Sequence, residues 1–158
     1  MSRMKASAFE RVEQVLRQHG VSFEVLRHPP VFTSEAAAAV RGVPLSSGAK
    51  ALICKVDDRF VMFVIPADRK LDSKQVRQAL GVRALRFASA EELRQLTSLT
   101  PGAVPPLGSL FGLATHCDVR LAENERINFN AGDHSISVSM RYADFLQVER
   151  PSLGRFAA

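Results

Sequence analysis

Two apolar segments separated by three charged residues constrain the fold of this chain most strongly. Residues 49–56 (AKALICKV) and 60–65 (FVMFVI) are apolar at nearly every position, and Asp57-Asp58-Arg59 lies between them. A half-exposed strand alternates apolar and polar residues, whereas a strand covered on both faces does not. The short charged connection favours a tight turn. The sequence therefore predicts an antiparallel hairpin at the centre of a sheet.

Helices are predicted on both sides of this hairpin. Apolar residues at helical spacing indicate a helix over 5–19 that ends at Gly20. Thr33 or Ser34 can cap a short alanine-rich helix that runs through Val40 and ends before Gly42. Three further helices are predicted: one from Ser73 to Leu80, one after Ser89 with the capping-box spacing to Glu92, and one from Tyr142 to Val148.

Short strands complete the expected architecture. Val21, Phe23 and Val25 alternate with polar residues, and His28-Pro29-Pro30 ends that strand. Further strands are predicted near 113–119, 126–130 and 135–140. We therefore expect an α+β fold with one central, mixed and mostly antiparallel sheet flanked by helices. The 158 residues fit a single compact domain over 1–158, with its core at about 20–148.

Composition excludes several classes of protein. Hydrophobic residues make up 46% and charged residues 23% of the chain, as in folded globular proteins. No apolar run approaches the ~18 residues of a membrane span, and no apolar stretch follows the basic first residues. We expect a cytoplasmic protein without a membrane partner. Cys54 and Cys117 lie in apolar segments and are predicted to be buried free thiols.

The charge balance permits a polyanionic partner without requiring one. The 21 Lys and Arg residues exceed the 16 Asp and Glu residues, for a formal net charge of +5. A basic domain attracts nucleic acid, although many basic proteins bind none. Aromatic residues are only 7% and Trp is absent, so a stacking platform for single strands is not expected.

Motifs for metals and common cofactors are missing. None of the four histidines is spaced i, i+4 from another, and no CxxC, GxSxG, P-loop or GxGxxG pattern occurs. We predict neither a metal site nor a cofactor.

Two segments remain as candidates for chemistry. Lys50 opens an otherwise apolar strand; it either extends its stem so that the ammonium reaches water, or it lines a cleft and holds an anion or a carbonyl oxygen. The loop Gly102–Gly108 (GAVPPLG) is stiffened by prolines, so its amides can be preorganised donors to an oxyanion, or it is an ordinary connection. Asn130-Ala131-Gly132-Asp133 has the composition of a turn.

Several segments, in this order, resemble the YbaK/prolyl-tRNA synthetase editing-domain family of aminoacyl-tRNA deacylases. The resemblance extends over about residues 20–148 and is carried by His28-Pro29-Pro30, Thr33-Ser34-Glu35-Ala36, Gly48-Ala49-Lys50-Ala51-Leu52, Pro66-Ala67-Asp68-Arg69-Lys70-Leu71-Asp72, Ala88-Ser89-Ala90-Glu91-Glu92-Leu93, Pro101–Gly108 and Asn130–Asp133.

The resemblance implies a freestanding trans-editing deacylase. Its substrate would be the acceptor end of a mischarged tRNA, such as tRNA-Pro, that carries a small amino acid, and a synthetase is an implied further partner. The family's functional lysine falls on Lys50. Its substrate pocket falls on His28, Gly102, Ala103, Val104, Pro105, Pro106, Gly108, Asn130 and Gly132.

Two other functions remain open at this point. A module that binds tRNA or a synthetase without turnover would retain the basic charge and the cleft. A hydrolase for small esters would need the cleft but not the tRNA.

Overall fold

The computed structural model describes residues 6–158, which form five helices and eight strands. In chain order these are α1 (Ala8–Gln18), β1 (Phe23–Arg27), α2 (Ser34–Arg41), β2 (Ala49–Val56), β3 (Arg59–Pro66), α3 (Ser73–Leu80), β4 (Leu85–Phe87), α4 (Ala90–Thr97), β5 (Thr115–Asp118), β6 (Arg126–Asn130), β7 (Ile136–Arg141), α5 (Tyr142–Glu149) and β8 (Ser152–Gly154). Short 3₁₀ turns occupy Leu45–Ser47, Gly108–Phe111 and Val119–Glu123.

The predicted fold class is confirmed, but the strands form two sheets rather than one. β2 and β3 are central in a five-stranded sheet of order β4-β2-β3-β5-β8, and a separate sheet has the order β1-β7-β6. Antiparallel pairs predominate, with parallel pairing only between β3 and β5 and between β5 and β8. A single parallel bridge, Gly48 to Asn128, connects the two sheets.

The central hairpin is covered on both faces, as its composition predicts. Ile53 and Met62 belong to the main core, which lies between the two sheets and includes residues of α1 and α5. Cys54 and Phe63 belong to a second, smaller core on the opposite face. Both cysteines are buried and free, which confirms that prediction.

Helix boundaries follow the capping residues closely. Ser7 and Ser89 each form a capping box, and Thr33 accepts a hydrogen bond from the amide of Ala36. The first helix begins at Ala8; the start predicted at position 5 lies outside the described residues. α3 begins at Ser73, as predicted, and Asp72 caps it. Within residues 6–158 no helix is long and apolar enough to cross a bilayer.

A buried carboxylate attaches the last residues of the chain to the five-stranded sheet. Asp118 has no exposed side-chain surface and pairs with Arg120 at 3.0 Å. It also accepts hydrogen bonds from the amides of Phe156 and Ala157, at 2.8 and 2.9 Å. Burial alone would raise the pKa of Asp118, but these bonds outweigh it and lower the pKa from 3.8 to about 2.

This carboxylate makes folding stability depend on pH in the acid range. Because the pKa is lower in the folded state, the stabilisation is complete above about pH 5 and is lost as the pH falls towards 2. The shift corresponds to about 2 kcal/mol. We expect Asp118→Asn to lower the free energy of unfolding at pH 7 by roughly 3–5 kcal/mol, because it leaves Arg120 without its anion. Urea unfolding at pH 7 and pH 3 measures both effects.

The exposed Asp58 of the hairpin turn provides the matched control. Asp58→Asn should change the free energy of unfolding by less than about 0.5 kcal/mol. An Asp118→Asn variant as stable as the parent would contradict this role for Asp118.

Candidate active site

A cavity of about 240 Å³ lies between α2, the first half of β2 and the loop that follows Thr100. Four of the residues predicted for the site line it: Lys50, Gly102, Val104 and Asn130. The cavity is also lined by backbone and side chains of Val31, Phe32, Thr33, Ser34, Ala37, Ala38, Arg41, Pro44, Leu45, Gly48, Ala49, Ala51, Leu52, Ala67, Asn128, Phe129 and His134.

Lys50 is half-buried on the cavity wall, and its ammonium has a defined partner. Its Nζ donates to the backbone carbonyl of Arg69 at 3.0 Å. Of the two alternatives for Lys50, the structure therefore favours the one in which the side chain lines a cleft. Burial lowers the pKa of Lys50 from 10.5, and Lys70 lowers it further, while Glu35 and Asp68 act in the opposite direction.

The loop that supplies the Arg69 carbonyl is itself held by the end of the chain. Phe156 accepts from the amide of Asp72 at 2.8 Å, and Ala158 donates to the carbonyl of Lys70 at 2.8 Å. An antiparallel bridge pairs Leu71 with Ala157. The Lys50 partner is thus fixed by backbone hydrogen bonds that lead to the buried Asp118.

Gly102 lines the cavity in a conformation that favours glycine. Its φ is +86°, and a Cβ there would lie 3.2 Å from Cε1 of His134. Its carbonyl accepts from Nδ2 of Asn130 at 2.8 Å. Within the described residues, the backbone hydrogen bonds leave the amides of Gly102 and Val104 without an acceptor.

The other residues of the predicted loop lie behind this wall. Ala103, Pro105, Pro106 and Gly108 are buried and do not line the cavity. Ala103 accepts from the amide of Gly132 at 2.8 Å. The loop is therefore joined to the turn after β6 through its backbone.

Gly132 and His28 also stand outside the cavity lining. Gly132 has a φ of +86°, and a Cβ there would lie 2.5 Å from Cβ of Ala8, so glycine allows the turn to pack on α1. His28 donates from Nδ1 to the carbonyl of Pro29 at 2.8 Å, and its Nε2 lies 2.7 Å from Oγ of Ser137. Since a carbonyl can only accept, Nδ1 carries a proton, and Nε2 forms the hydrogen bond with Ser137.

Arg41, which no sequence motif indicated, connects these segments. Its Nε donates to Oγ of Ser137 at 2.8 Å, and its Nη2 donates to Oδ1 of Asn130 at 2.9 Å. Burial lowers the pKa of Arg41 from 12.5 to about 10, which still leaves the guanidinium charged at neutral pH. This one guanidinium is bonded directly to Asn130, and it is linked to His28 through Ser137 and to Gly102 through Asn130.

The signal for Arg41 was present in the spacing of α2. Ser34, Ala37, Ala38 and Arg41 are spaced 3, 1 and 3 residues apart, which places them on one face of a helix, and all four line the cavity. An arginine in the last turn of a helix is usually explained by the helix dipole, so the sequence alone gave no reason to choose this one.

His134 is a second cavity residue that was not selected. Its Nδ1 lies 3.1 Å from the carbonyl of Val31, and its Nε2 lies 3.1 Å from Oγ1 of Thr100. Its ring lies 4.8 Å from the ring of Phe32, which is 76% exposed at the cavity mouth. Across residues 6–158, no group of three His, Cys, Asp or Glu side chains is placed to hold a metal ion.

Comparison with known proteins identifies the family. The aminoacyl-tRNA editing domain family matches residues 28–148. The Multifunctional Ser/Thr-tRNA deacylase ProXp-y of Escherichia coli (strain K12) is 35% identical over 152 residues, which cover 93% of this chain and 91% of that protein. The Proline--tRNA ligase of Shouchella clausii (strain KSM-K16) is 30% identical over 126 residues, which cover 78% of this chain and 22% of the ligase.

Solved structures agree on the fold. A crystal structure of a proposed trans-editing enzyme for prolyl tRNA synthetase superposes with a TM-score of 0.86 at 22% identity and covers 98% of this chain and 99% of its own. At that identity the likeness concerns the fold alone. On the sequence matches, the chain belongs to the aminoacyl-tRNA editing domain family, and its predicted enzyme class, aminoacyl-tRNA deacylase, is confirmed.

Proposed function

We propose that this chain is a freestanding deacylase that removes a small amino acid, such as alanine, serine or threonine, from the 3′ end of a mischarged tRNA. The named activity of the Escherichia coli relative and the length over which it matches support this proposal. The similarity to proline–tRNA ligases makes mischarged tRNA-Pro the first substrate to test.

One observation carries the proposal: Lys50 lines the same small cavity as two loop residues whose amides have no acceptor within residues 6–158. Lys50 belongs to β2, and Gly102 and Val104 belong to the loop that follows Thr100. An aminoacyl ester is already activated, so the protein needs to hold its carbonyl near a water molecule and to stabilise the oxyanion that forms. An ammonium and backbone N–H donors suit that task.

The reaction needs no intermediate bonded to the protein. The oxygen of water bonds to the ester carbonyl carbon, and the electron pair of the carbonyl moves onto its oxygen to give a tetrahedral intermediate. Its collapse breaks the bond to the ribose oxygen, which takes a proton from the attacking water and leaves as the free hydroxyl, while the amino acid is released as its carboxylate. The vicinal ribose hydroxyl can orient the water. Lys50 fixes the carbonyl oxygen or the terminal nucleotide as a point charge.

Removal of the Lys50 ammonium tests this mechanism. We expect Lys50→Ala to lower kcat/KM for deacylation of mischarged tRNA by about 100-fold or more, because a charged group that faces the oxyanion is lost. The release of labelled amino acid from tRNA measures the rate. Lys55→Ala is the matched control, since Lys55 lies on the same strand with its ammonium over the Phe60 ring, 5.8 Å from the centroid. A folded Lys50→Ala variant with full activity would remove Lys50 from the mechanism.

Substrate size should also limit the reaction. A cavity of about 240 Å³ must hold the ester together with the side chain, so large side chains clash. We expect alanine, serine and threonine esters to be hydrolysed, and leucine and phenylalanine esters on the same tRNA to react at least about 100-fold more slowly. Comparable rates for phenylalanine and serine would contradict this account.

Binding of the tRNA should depend on charge near the cavity. Of the 21 basic residues, 16 are arginine. Lys70 is exposed, and its charge lies close enough to Lys50 to lower the pKa of Lys50. We expect affinity for tRNA to fall steeply with added salt, and Lys70→Ala to reduce the slope of log K against log salt by up to about one. Lys74→Ala on α3 is the control. Binding that does not change with salt would overturn the electrostatic account, and binding without hydrolysis of any ester would indicate a non-catalytic module.

A further inference from the structure

Arg41 has one nitrogen that the protein does not use. Its Nε and Nη2 are bonded to Ser137 and Asn130. For Nη1, the described residues provide no acceptor within hydrogen-bond distance. This nitrogen lies 4.0 Å from the position that a Cβ on Gly48 would take. Because Gly48 and Arg41 both line the cavity, Nη1 lies where a bound ligand can reach it.

The guanidinium also lacks a counter-charge. The ion pairs found in residues 6–158 join Arg17 to Glu13, Arg86 to Glu92 and Arg120 to Asp118. The partners of Arg41 are a hydroxyl and an amide, which are neutral. A desolvated guanidinium with an unused N–H gains most from a ligand that supplies an acceptor.

Arg41 and Lys50 reach the cavity from different elements, α2 and β2. The charged groups that shift the pKa of Lys50 are Glu35, Lys70 and Asp68. Glu35 is in the first turn of α2, whereas Arg41 is its last residue. Six residues separate them, which is about 9 Å along the helix axis. If the ester carbonyl lies at the Lys50 ammonium, the amino-acid side chain can lie at Nη1 of Arg41.

We propose that Nη1 of Arg41 donates a hydrogen bond to the side-chain hydroxyl of the substrate and thereby selects serine and threonine esters over the alanine ester. This inference rests on the proposed function and names the substrate class within it. The hydroxyl oxygen accepts the bond, and no covalent change is involved.

The expected selectivity follows from what alanine leaves unpaired. A methyl side chain displaces water from the cavity but gives Nη1 no acceptor, so the N–H stays desolvated and unbonded in that complex. The rigid network of Ser137, His28 and Asn130 prevents the guanidinium from turning to another partner. A site of this kind discriminates by hydrogen bonding, which size alone cannot do between serine and alanine.

The test compares three esters on one tRNA. Serine, alanine and 2-aminobutyrate are used, since 2-aminobutyrate replaces the serine hydroxyl by a methyl group. For the parent protein we expect kcat/KM for serine to exceed both others by about 10- to 100-fold. Arg41→Met keeps the stem but removes the donors; it should lower the serine rate by that factor and change the alanine rate by less than about threefold.

Arg126→Met is the matched control. Arg126 also donates to a serine on β7, with its Nε 3.2 Å from Oγ of Ser139, but it does not line the cavity. This variant should leave the ratio of serine to alanine unchanged. If Arg41→Met does not fold by circular dichroism, Arg41→Lys serves instead: it keeps the charge, loses the planar fork, and should lower the ratio at least about threefold.

The outcomes separate the two proposals. A parent protein that hydrolyses none of the three esters contradicts the proposed function itself. Hydrolysis of all three with a ratio that Arg41→Met does not change overturns the inference and leaves the function standing. Equal losses for all three esters also overturn it; such losses, together with a smaller salt dependence, would place a tRNA phosphate at Arg41.

Discussion

The incomplete pairing of β2 is the constraint on which the site depends. This strand is bonded to β3 along its whole length, but to β4 only over Cys54–Val56. Its first half therefore keeps one edge without a strand partner, and that edge, Ala49–Leu52, forms a wall of the cavity. A fully paired β2 would close the space in which the substrate is expected to bind. The Gly48–Asn128 bridge joins the three-stranded sheet to the residue directly before this edge.

Backbone hydrogen bonds hold the two loops that line the cavity. On the Lys50 side, the acceptor carbonyl belongs to a loop fixed by Phe156 and Ala158. On the opposite side, the Gly102 loop is bonded to Gly132 and Asn130. Donors held in this way do not have to reorganise when charge develops on a substrate, which is the main advantage of a protein site over water.

The sequence predicted the parts of the fold that depend on local pattern. The apolar runs located the central hairpin, and the caps at Thr33 and Ser89 located two helices. β4 and β8 were not predicted, because a strand of three residues is too short to show an alternating pattern. The division into two sheets was also missed, because it depends on which strands pair, and an apolar strand does not specify its partner.

At the site, the sequence indicated some of the cavity residues and missed others. Lys50 was noticeable as a cation in an apolar strand, and the cavity contains it. His28 and Gly132 came from the family resemblance, yet they lie outside the cavity lining, where the structure gives them contacts with Ser137 and α1. Arg41 was missed because its partners, Ser137 and Asn130, are 96 and 89 residues away in the chain. Their distance in sequence hides a contact that only tertiary structure creates.

The absence of a carboxylate beside Arg41, within the described residues, has a physical consequence. A carboxylate partner would offset much of the free energy needed to desolvate the guanidinium, but it would also neutralise the positive charge. Neutral acceptors satisfy two of its nitrogens and leave the positive charge intact, and the pKa of about 10 keeps it there at neutral pH. The charge on Arg41 strengthens a hydrogen bond from its free N–H group to a neutral acceptor such as a hydroxyl. Under the proposed function, that bond distinguishes the side chains of the esters.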